Sequence, residues 1–282
     1  MNLNLSDRQS YTLRELMWTF ESEDEGASLE YYSRELLIRE KPVDGEKLVE
    51  SLVIRKVGIG GLAEIAAAIA GEGVIIKSGF HRVDNDELQW TIFLDFSKAK
   101  ITPEELEKKI GQMRDVRDVQ VRIPTLGFES FHFPLSTLGL RIITWNVESF
   151  GSYMKRLIEV LGDVAFPILY NLGRAEAEYM WERMSREGES KEDVLKFIQE
   201  TYRASGWGII EFEEINGKES RAKIAIKQHV VPESLGKSSK PVCHDIRGYL
   251  AGIFSRYFGR RISAAEVKCM ATGDEYCEFE IG

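Results

Sequence analysis

Three cysteines and one glutamate close to the end of the chain have the residue types and the spacing of a metal site. The chain has 282 residues, and its three cysteines are Cys243, Cys269 and Cys277. Thiolate sulfur is a soft ligand that suits zinc, and three thiolates with one carboxylate or imidazole complete a tetrahedral site. Glu266 lies three residues before Cys269 and offers the carboxylate. A site whose four positions are all filled by protein ligands has a structural rather than a catalytic role.

Other interpretations of these residues remain open on spacing alone. The cysteines could be free thiols in a protein core, and Cys269 and Cys277 could form a redox-active pair. His244 could take the place of Glu266, although it adjoins Cys243 and would reach the same ion only with strain. In a regular strand Glu266 and Cys269 point to opposite faces, so joint ligation requires a bulge or a metal at the strand end.

The composition is that of an ordinary soluble globular chain, and it argues against several classes of function. Hydrophobic residues make up 43% and charged residues 29%, and the length favours two domains. A net charge of −9 argues against direct nucleic-acid binding, which depends on the neutralisation of phosphates. The sequence has no apolar run of the roughly 20 residues that a membrane-spanning helix needs, and no signal sequence. An odd number of clustered cysteines argues against a secreted disulfide framework, so we expect a cytoplasmic protein with no membrane contact.

Residues 48–123 have the pattern of a small mixed domain. Period-two alternation predicts strands, while an alanine-rich segment and a segment that starts with Thr102 and Pro103 predict helices. The resulting order, βαββαβ, is the ferredoxin-like arrangement. Residues 1–47 are predicted to be an arm that packs on the rest of the protein or on a second subunit. The predicted elements of the domain are strands 48–57, 74–82, 87–96 and 116–123 and helices 62–70 and 103–113.

This domain resembles the ACT domain, the amino-acid-binding regulatory module. The resemblance rests on residues 60–65 after the first strand and on the closing segment 116–121. The family commonly has Asp and Pro just before the first glycine, whereas this chain has Val57 and Ile59 there. The resemblance implies the fold, and it is as compatible with a dimerising or ligand-free module as with an amino-acid site.

A linker at residues 124–141 precedes a second domain at residues 142–282, and the whole chain is predicted to have an α+β fold. The linker is marked by Pro124 and Pro134. In the second domain Pro167 is expected to interrupt an amphipathic stretch at 150–184, which gives two helices or one bent helix. The other predicted elements are helices 190–206 and 243–258, a loop at 232–240, and strands 142–145, 207–215, 221–229, 262–269 and 276–281.

The second domain resembles the 4-vinyl reductase domain, a small-molecule-binding module of aromatic-sensing bacterial regulators and of many archaeal proteins. The resemblance rests on residues 243–254 and 273–279, and the order of elements extends it over residues 142–282. It implies a ligand cavity between the helices and the sheet. It also implies a structural zinc ion with the ligands of the family's zinc-binding members, which are here Cys243, Glu266, Cys269 and Cys277.

Aromatic residues of the second domain are the candidate wall of that cavity, although each could equally be a plain core residue. The aromatic sensors of the family hold a phenolic hydroxyl with a histidine and a tryptophan. Between the linker and Cys243 this chain has only His229, so we do not expect a phenol site. The candidate ligand-binding residues are Trp145, Phe150, Tyr153, Phe166, Tyr170, Trp207 and Tyr249.

The sequence favours a binding protein over an enzyme. It contains no nucleophile elbow, P-loop, zinc-protease motif or dinucleotide-binding fingerprint. We expect an archaeal-type sensor or regulatory protein that forms a homodimer, holds structural zinc and binds a small, largely apolar ligand. Two alternatives stay open: an enzyme or accessory protein of tetrapyrrole or hydrocarbon metabolism, and a lipid-carrying assembly or tethering module similar to the small subunits of trafficking complexes.

Overall fold

The structure is a computed structural model, which describes residues 36–58, 60–137, 140–186 and 190–282. The chain divides into two compact units, with a boundary between Ile142 and Ile143. Residues 1–35, most of the predicted arm, lie outside the described residues, as does Ile59 of the glycine turn. In the described part of the chain, no helix combines the length and the apolar character needed to cross a membrane.

Four strands and two helices build the first unit, in the βαββαβ order predicted from the sequence. They are β1 (Leu48–Lys56), α1 (Gly61–Gly71), β2 (Ile75–Asp84), β3 (Glu87–Asp95), α2 (Pro103–Gly111) and β4 (Val116–Arg122). The strands pair antiparallel in the order β2-β3-β1-β4. Alternate residues of the two central strands, such as Val53 and Ile92, pack with Ile65, Ile69 and Leu106 of the helices.

Helix α2 begins with the capping signal that the sequence contains. The Thr102 hydroxyl accepts a hydrogen bond from the Glu105 amide at 3.2 Å, and the Glu105 carboxylate accepts one from the Thr102 amide at 2.8 Å. Pro103 occupies the first helical position. This reciprocal pair satisfies two backbone N–H groups that the helix itself cannot use, so the start of α2 is fixed locally.

The segment predicted as a linker packs on the first unit. Glu50 of β1 is fully buried on the sheet face opposite the helices, and it accepts hydrogen bonds from the Ser130 amide at 3.1 Å and the Ser130 hydroxyl at 2.7 Å. Burial raises the pKa of Glu50. A short hairpin follows, formed by β5 (Ser136–Thr137) and β6 (Leu140–Arg141). The predicted strand at 142–145 is wrong, because the two-residue β5 leaves it no partner beyond Arg141.

The second unit places helices against one face of an antiparallel sheet with the order β7-β8-β10-β9. Its elements are α3 (Val147–Leu161), α4 (Ala165–Arg186), α5 (Lys191–Ala204), β7 (Ile209–Asn216), β8 (Arg221–Lys227), α6 (Val230–Leu235), α7 (His244–Phe258), β9 (Ala264–Lys268) and β10 (Cys277–Ile281). Its core joins Trp181 of α4, Ile198 of α5 and Phe254 of α7 to Ile224 and Phe279 of the sheet. The fold is therefore α+β with antiparallel sheets, as predicted.

Two prolines lie inside helices, where the sequence predicted a break and a loop. The break between α3 and α4 lies at Gly162, whose φ of 56° ends α3, and not at Pro167. Pro167 is the third residue of α4, and Pro232 is the third residue of α6, inside the predicted loop 232–240. A proline is tolerated in a first turn because the N–H groups there have no intrahelical partner.

Helices α4 and α7 cross through glycines, so their backbones touch. A Cβ atom added to Gly248 would overlap the carbonyl oxygen of Tyr170, and one added to Gly173 would overlap the carbonyl oxygen of Asp245. At Gly252 an added Cβ atom would lie 2.6 Å from the Cβ atom of Ala177. Only glycine permits this close approach, which holds α7 directly against α4.

Candidate metal centre and ligand site

The four predicted metal ligands come together at the meeting point of one helix and two strands. Cys243 immediately precedes α7, Glu266 lies in β9, Cys269 follows β9, and Cys277 begins β10. Their ligand atoms all lie within 4.8 Å of one another, and the three cysteines are buried. The cluster could therefore hold a metal ion.

A bulge and a tight turn make this convergence possible. In the pairing of β9 with β10, Glu266 lies opposite Phe279 and Lys268 lies opposite Glu278, so Val267 is the extra residue of a bulge. The bulge interrupts the alternation that would otherwise separate Glu266 from the cysteine three residues later. Beyond it, the chain turns through residues 270–272 to Gly273, whose φ of 107° suits only glycine.

The distances fit a tetrahedral ion better than a disulfide. The sulfur of Cys243 lies 3.7 Å from that of Cys277 and 4.0 Å from that of Cys269. Four ligands at the usual zinc–sulfur distance would place sulfur atoms about 3.8 Å apart, whereas a disulfide needs about 2.05 Å. The Glu266 carboxylate accepts a hydrogen bond from the Cys243 amide at 3.0 Å through Oε2, while its Oε1 is buried without a partner among the described residues. That orphaned oxygen completes the donor set.

The electrostatics of the cluster also favour a cation. Burial raises the pKa of Glu266 to about 8 and also raises the pKa of Cys243. Hydrogen bonds with Cys243 and Cys277 lower the pKa of the third thiol, Cys269. A bound cation would offset the cost of burying the carboxylate and would allow all three thiols to be thiolates.

Outer contacts orient the cluster, and one of them was not predicted. The Asp274 carboxylate accepts a hydrogen bond from the Cys269 amide at 2.8 Å. Nδ1 of His229 lies 3.4 Å from the sulfur of Cys243. His244, considered in the sequence as a replacement for Glu266, is not a member of the cluster and instead stacks on Phe166 with ring centroids 4.3 Å apart.

His229 is fully buried, and only one of its two ring nitrogens is engaged. Burial lowers the pKa of His229 to about 3, so the ring is neutral. If Cys243 is a thiolate, Nδ1 must carry the proton and Nε2 becomes an acceptor. In the described part of the molecule Nε2 has no hydrogen-bond partner. A buried atom of this kind calls for a ligand or a water molecule.

Four of the seven predicted ligand-binding residues form a continuous series of ring contacts. Trp145 contacts Tyr153 at 5.3 Å between centroids and Phe150 at 5.7 Å, and Phe150 contacts Trp207 at 5.4 Å. Tyr202, which was not predicted, extends the series from Trp207 at 6.1 Å to His229 at 6.2 Å. We call this set the aromatic chain; it comprises Tyr153, Trp145, Phe150, Trp207 and Tyr202.

The other three predicted residues lie beside α7 and make different contacts. Phe166 stacks on His244, and the guanidinium of Arg247 lies over the ring of Tyr170 at 5.3 Å. Tyr249 packs against the core of the unit. No described ring contact joins these three to the aromatic chain. Sequence alone could not separate the two groups, since the helix crossing that divides them depends on distant residues.

A cleft of about 580 Å³ opens elsewhere in this unit, between α3 and α6. Its lining is mostly polar and charged, and it includes none of the seven predicted ligand-binding residues. The lining residues are Val147, Glu148, Ser152, Lys155, Arg156, Glu159, Glu233 and Ser234. The cleft is therefore distinct from the aromatic chain.

Residues 222–282 match the family model of the vinyl-4-reductase domain, which confirms the predicted 4-vinyl reductase domain over this segment. Two uncharacterized proteins of Methanocaldococcus jannaschii are similar in sequence. One is 28% identical over 112 residues, which cover 40% of this chain and 61% of the relative. The other is 32% identical over 63 residues, which cover 22% of this chain and 39% of the relative. The chain thus spans less than two thirds of either relative.

Three solved structures resemble parts of the chain. The phenol-responsive sensory domain of the transcription activator PoxR, with phenol, is 20% identical, with 50% of this chain and 76% of that chain covered and a TM-score of 0.44. A vinyl-4-reductase family protein from Methanocaldococcus jannaschii is 16% identical, with coverage of 50% and 83% and a TM-score of 0.37. The ACT domain of GTP pyrophosphokinase of Chlorobium tepidum is 14% identical, with coverage of 27% and 99% and a TM-score of 0.24.

Proposed function

We propose that the protein is a cytoplasmic small-molecule sensor whose second unit binds a largely apolar ligand along the aromatic chain, beside a structural zinc ion. One observation carries the proposal. The aromatic chain leads from partly exposed rings to His229, which contacts a metal-ligand cysteine through one nitrogen and keeps the other free. A ligand at this place would contact both the aromatic rings and the neighbourhood of the metal cluster.

Zinc is the metal that the donor set supports best. Three sulfur donors exclude the hard cations that prefer oxygen ligands, and four protein ligands suit a closed tetrahedral site. When bound, the ion would cross-link the start of α7 to the ends of β9 and β10. It would then act on stability and on the position of α7 rather than on a reaction.

The exposed rings give the ligand a source of binding energy. Trp145 is 54% exposed and Tyr153 is 55% exposed. A ligand that covers about 100 Å² of such apolar surface gains about 2.5 kcal/mol, so two rings contribute much of the roughly 8 kcal/mol of a micromolar complex. Binding would also fix α3, which carries Phe150 and Tyr153, relative to α5 and β8.

Native mass spectrometry of protein purified without chelator tests this proposal. We expect the wild type to carry one zinc ion and a small organic molecule. The Trp207→Ala variant should retain zinc and lose at least nine tenths of the organic molecule, because it interrupts the aromatic chain. The Tyr179→Ala variant is the control, since Tyr179 is an aromatic residue on the surface of α4, 59% exposed. A wild type without any bound molecule, or equal retention by both variants, would contradict the proposal.

We also propose that the protein is a homodimer through one face of α4. Ile168, Leu172 and Tyr179 are 39%, 59% and 59% exposed and lie on the same side of this helix. We call these three residues the apolar stripe. Light scattering should give twice the chain mass of 32.2 kDa for the wild type and a single chain mass for Leu172→Glu. Ile143→Glu, which adds the same charge at an exposed residue away from the stripe, should stay dimeric. A monomeric wild type would refute the dimer.

A further inference from the structure

Asp245 in the first turn of α7 has a carboxylate oxygen that is buried without a partner. Its Oδ1 makes no hydrogen bond to any described residue, and its remaining interactions are with backbone N–H groups of its own turn. No lysine or arginine among the described residues pairs with it. A first-turn aspartate stabilises a helix by about 0.3–1 kcal/mol even when exposed, so the helix start does not explain the burial. Burying an oxygen without a partner costs more than that.

The groups around Asp245 are acceptors or acids, and they come from three helices. Tyr202 of α5 interacts electrostatically with Asp245 and Tyr249. Glu176 of α4 interacts with Asp245 and Tyr249 as well, from an exposed position at the edge of the group. The two carboxylates repel each other, and both tyrosine rings offer a π face to a cation. The charge of this group is therefore negative and uncompensated within the described residues.

The opposite side of α7 differs in this respect. His244 and Arg247 also have unpaired buried nitrogens, but their rings and guanidinium are covered by Phe166 and Tyr170. These aromatic contacts account for the two basic residues without a ligand. The Asp245 side has no comparable contact, so a ligand is needed only there.

His229 supplies a second and independent indication of a ligand. It is fully buried, and its Nε2 has no partner among the described residues. The two ring nitrogens of an imidazole point in diverging directions, so Nε2 points away from Cys243. The ring packs against Tyr202, the residue that also interacts with Asp245. An acceptor nitrogen and an acceptor carboxylate thus lie on either side of the same tyrosine.

We infer that this group of residues binds a protonated amine carried on an aromatic or other apolar body. The ammonium group would donate hydrogen bonds to Asp245 and to Nε2 of His229, with Tyr202 and Tyr249 against its charge. The apolar body would extend along the aromatic chain. The inference rests on the proposed function and gives the chemical class of its ligand: the protein supplies the acceptors, so the ligand must supply the N–H donors.

Calorimetry with a matched pair of probes, 2-phenylethylamine and 2-phenylethanol, tests the inference on the full zinc-loaded chain. The two probes share the same apolar body, and only the amine is charged at neutral pH. We expect the amine to bind the wild type at least tenfold more tightly than the alcohol. Asp245→Asn should lose at least tenfold in affinity for the amine and little for the alcohol. Asp163→Asn, the same change at an exposed residue of this unit, should affect neither probe.

Three results would overturn the inference: equal affinity of the two probes, no measurable amine binding, or unchanged amine affinity in Asp245→Asn. Binding of the alcohol together with any of these would leave the proposed function standing, so the two failures can be told apart. Zinc content and near-ultraviolet circular dichroism establish that the variant is folded. If Asp245→Asn does not fold, Tyr249→Phe replaces it, and it should weaken amine binding about threefold while leaving alcohol binding unchanged.

Discussion

The Cys277→Ser variant is expected to lose the metal ion and most of the stability of the second unit. Cys277 is fully buried and begins β10, the strand that pairs with both β8 and β9. Structural zinc contributes about 10–16 kcal/mol in zinc-finger peptides, which matches the total stability of a typical domain at about 5–15 kcal/mol. We therefore expect the free energy of unfolding of this unit to fall by at least about 3 kcal/mol, within the range for the loss of a metal site.

Elemental analysis and thermal unfolding followed by circular dichroism measure these two effects. Glu280→Gln is the matched control, because Glu280 lies on the same strand and is exposed. It should keep one zinc per chain and the wild-type melting temperature. Wild-type protein treated with a chelator should melt at the temperature of Cys277→Ser. A variant that keeps both zinc and the wild-type melting temperature would show that Cys277 is only a core residue.

The Gly248→Ala variant is expected to destabilise the second unit by about 3 kcal/mol or more. Overpacking usually costs about 1–3 kcal/mol when side chains can shift, but here the added methyl group meets the backbone of Tyr170, which cannot change rotamer. The helices must separate, and α7 begins directly after Cys243, so the zinc affinity should fall as well. Denaturant unfolding and a competitive chelator titration give the two numbers.

Two other glycines make this prediction specific. Gly217→Ala lies in the turn after β7, with no atom within 4 Å of the added methyl group, and should change stability by less than about 0.5 kcal/mol. Gly252→Ala should lie between the two variants, because its new methyl group meets only the Cβ atom of Ala177, at 2.6 Å. If Gly248→Ala were as stable as Gly217→Ala, the two helices would have to be farther apart than described.

The sequence was sufficient to find residues whose chemistry is rare and whose positions are close together. Three cysteines within a short segment have few uses, so the cluster with Glu266 could be predicted before its geometry was known. The alternation of strands 48–57 and 87–96 and the cap at Thr102 act locally, and these elements form where they were expected. Local signals are legible because they depend on neighbouring residues alone.

The remaining features depend on contacts between residues that are far apart in the chain. The closeness of α4 and α7 requires Gly173 and Gly248 to face each other, and neither residue signals this by its surroundings in the sequence. His229 was noticed only as a missing partner for a phenol, because its contact with Cys243 arises from the path of the chain after β8. Pro167 was misjudged because its effect depends on whether it falls in the first turn of a helix.

The contact between α4 and α7 has a mechanical consequence. Since backbone meets backbone at Gly173 and Gly248, no flexible side chain lies between the helices to absorb a rotation. The pair should therefore turn as one stiff lever, with its fulcrum where Cys243 ties α7 to the sheet. A ligand that pushes on Asp245 would tilt the apolar stripe on the far side of α4. The message to a second subunit would then be a change of angle, delivered in a single step.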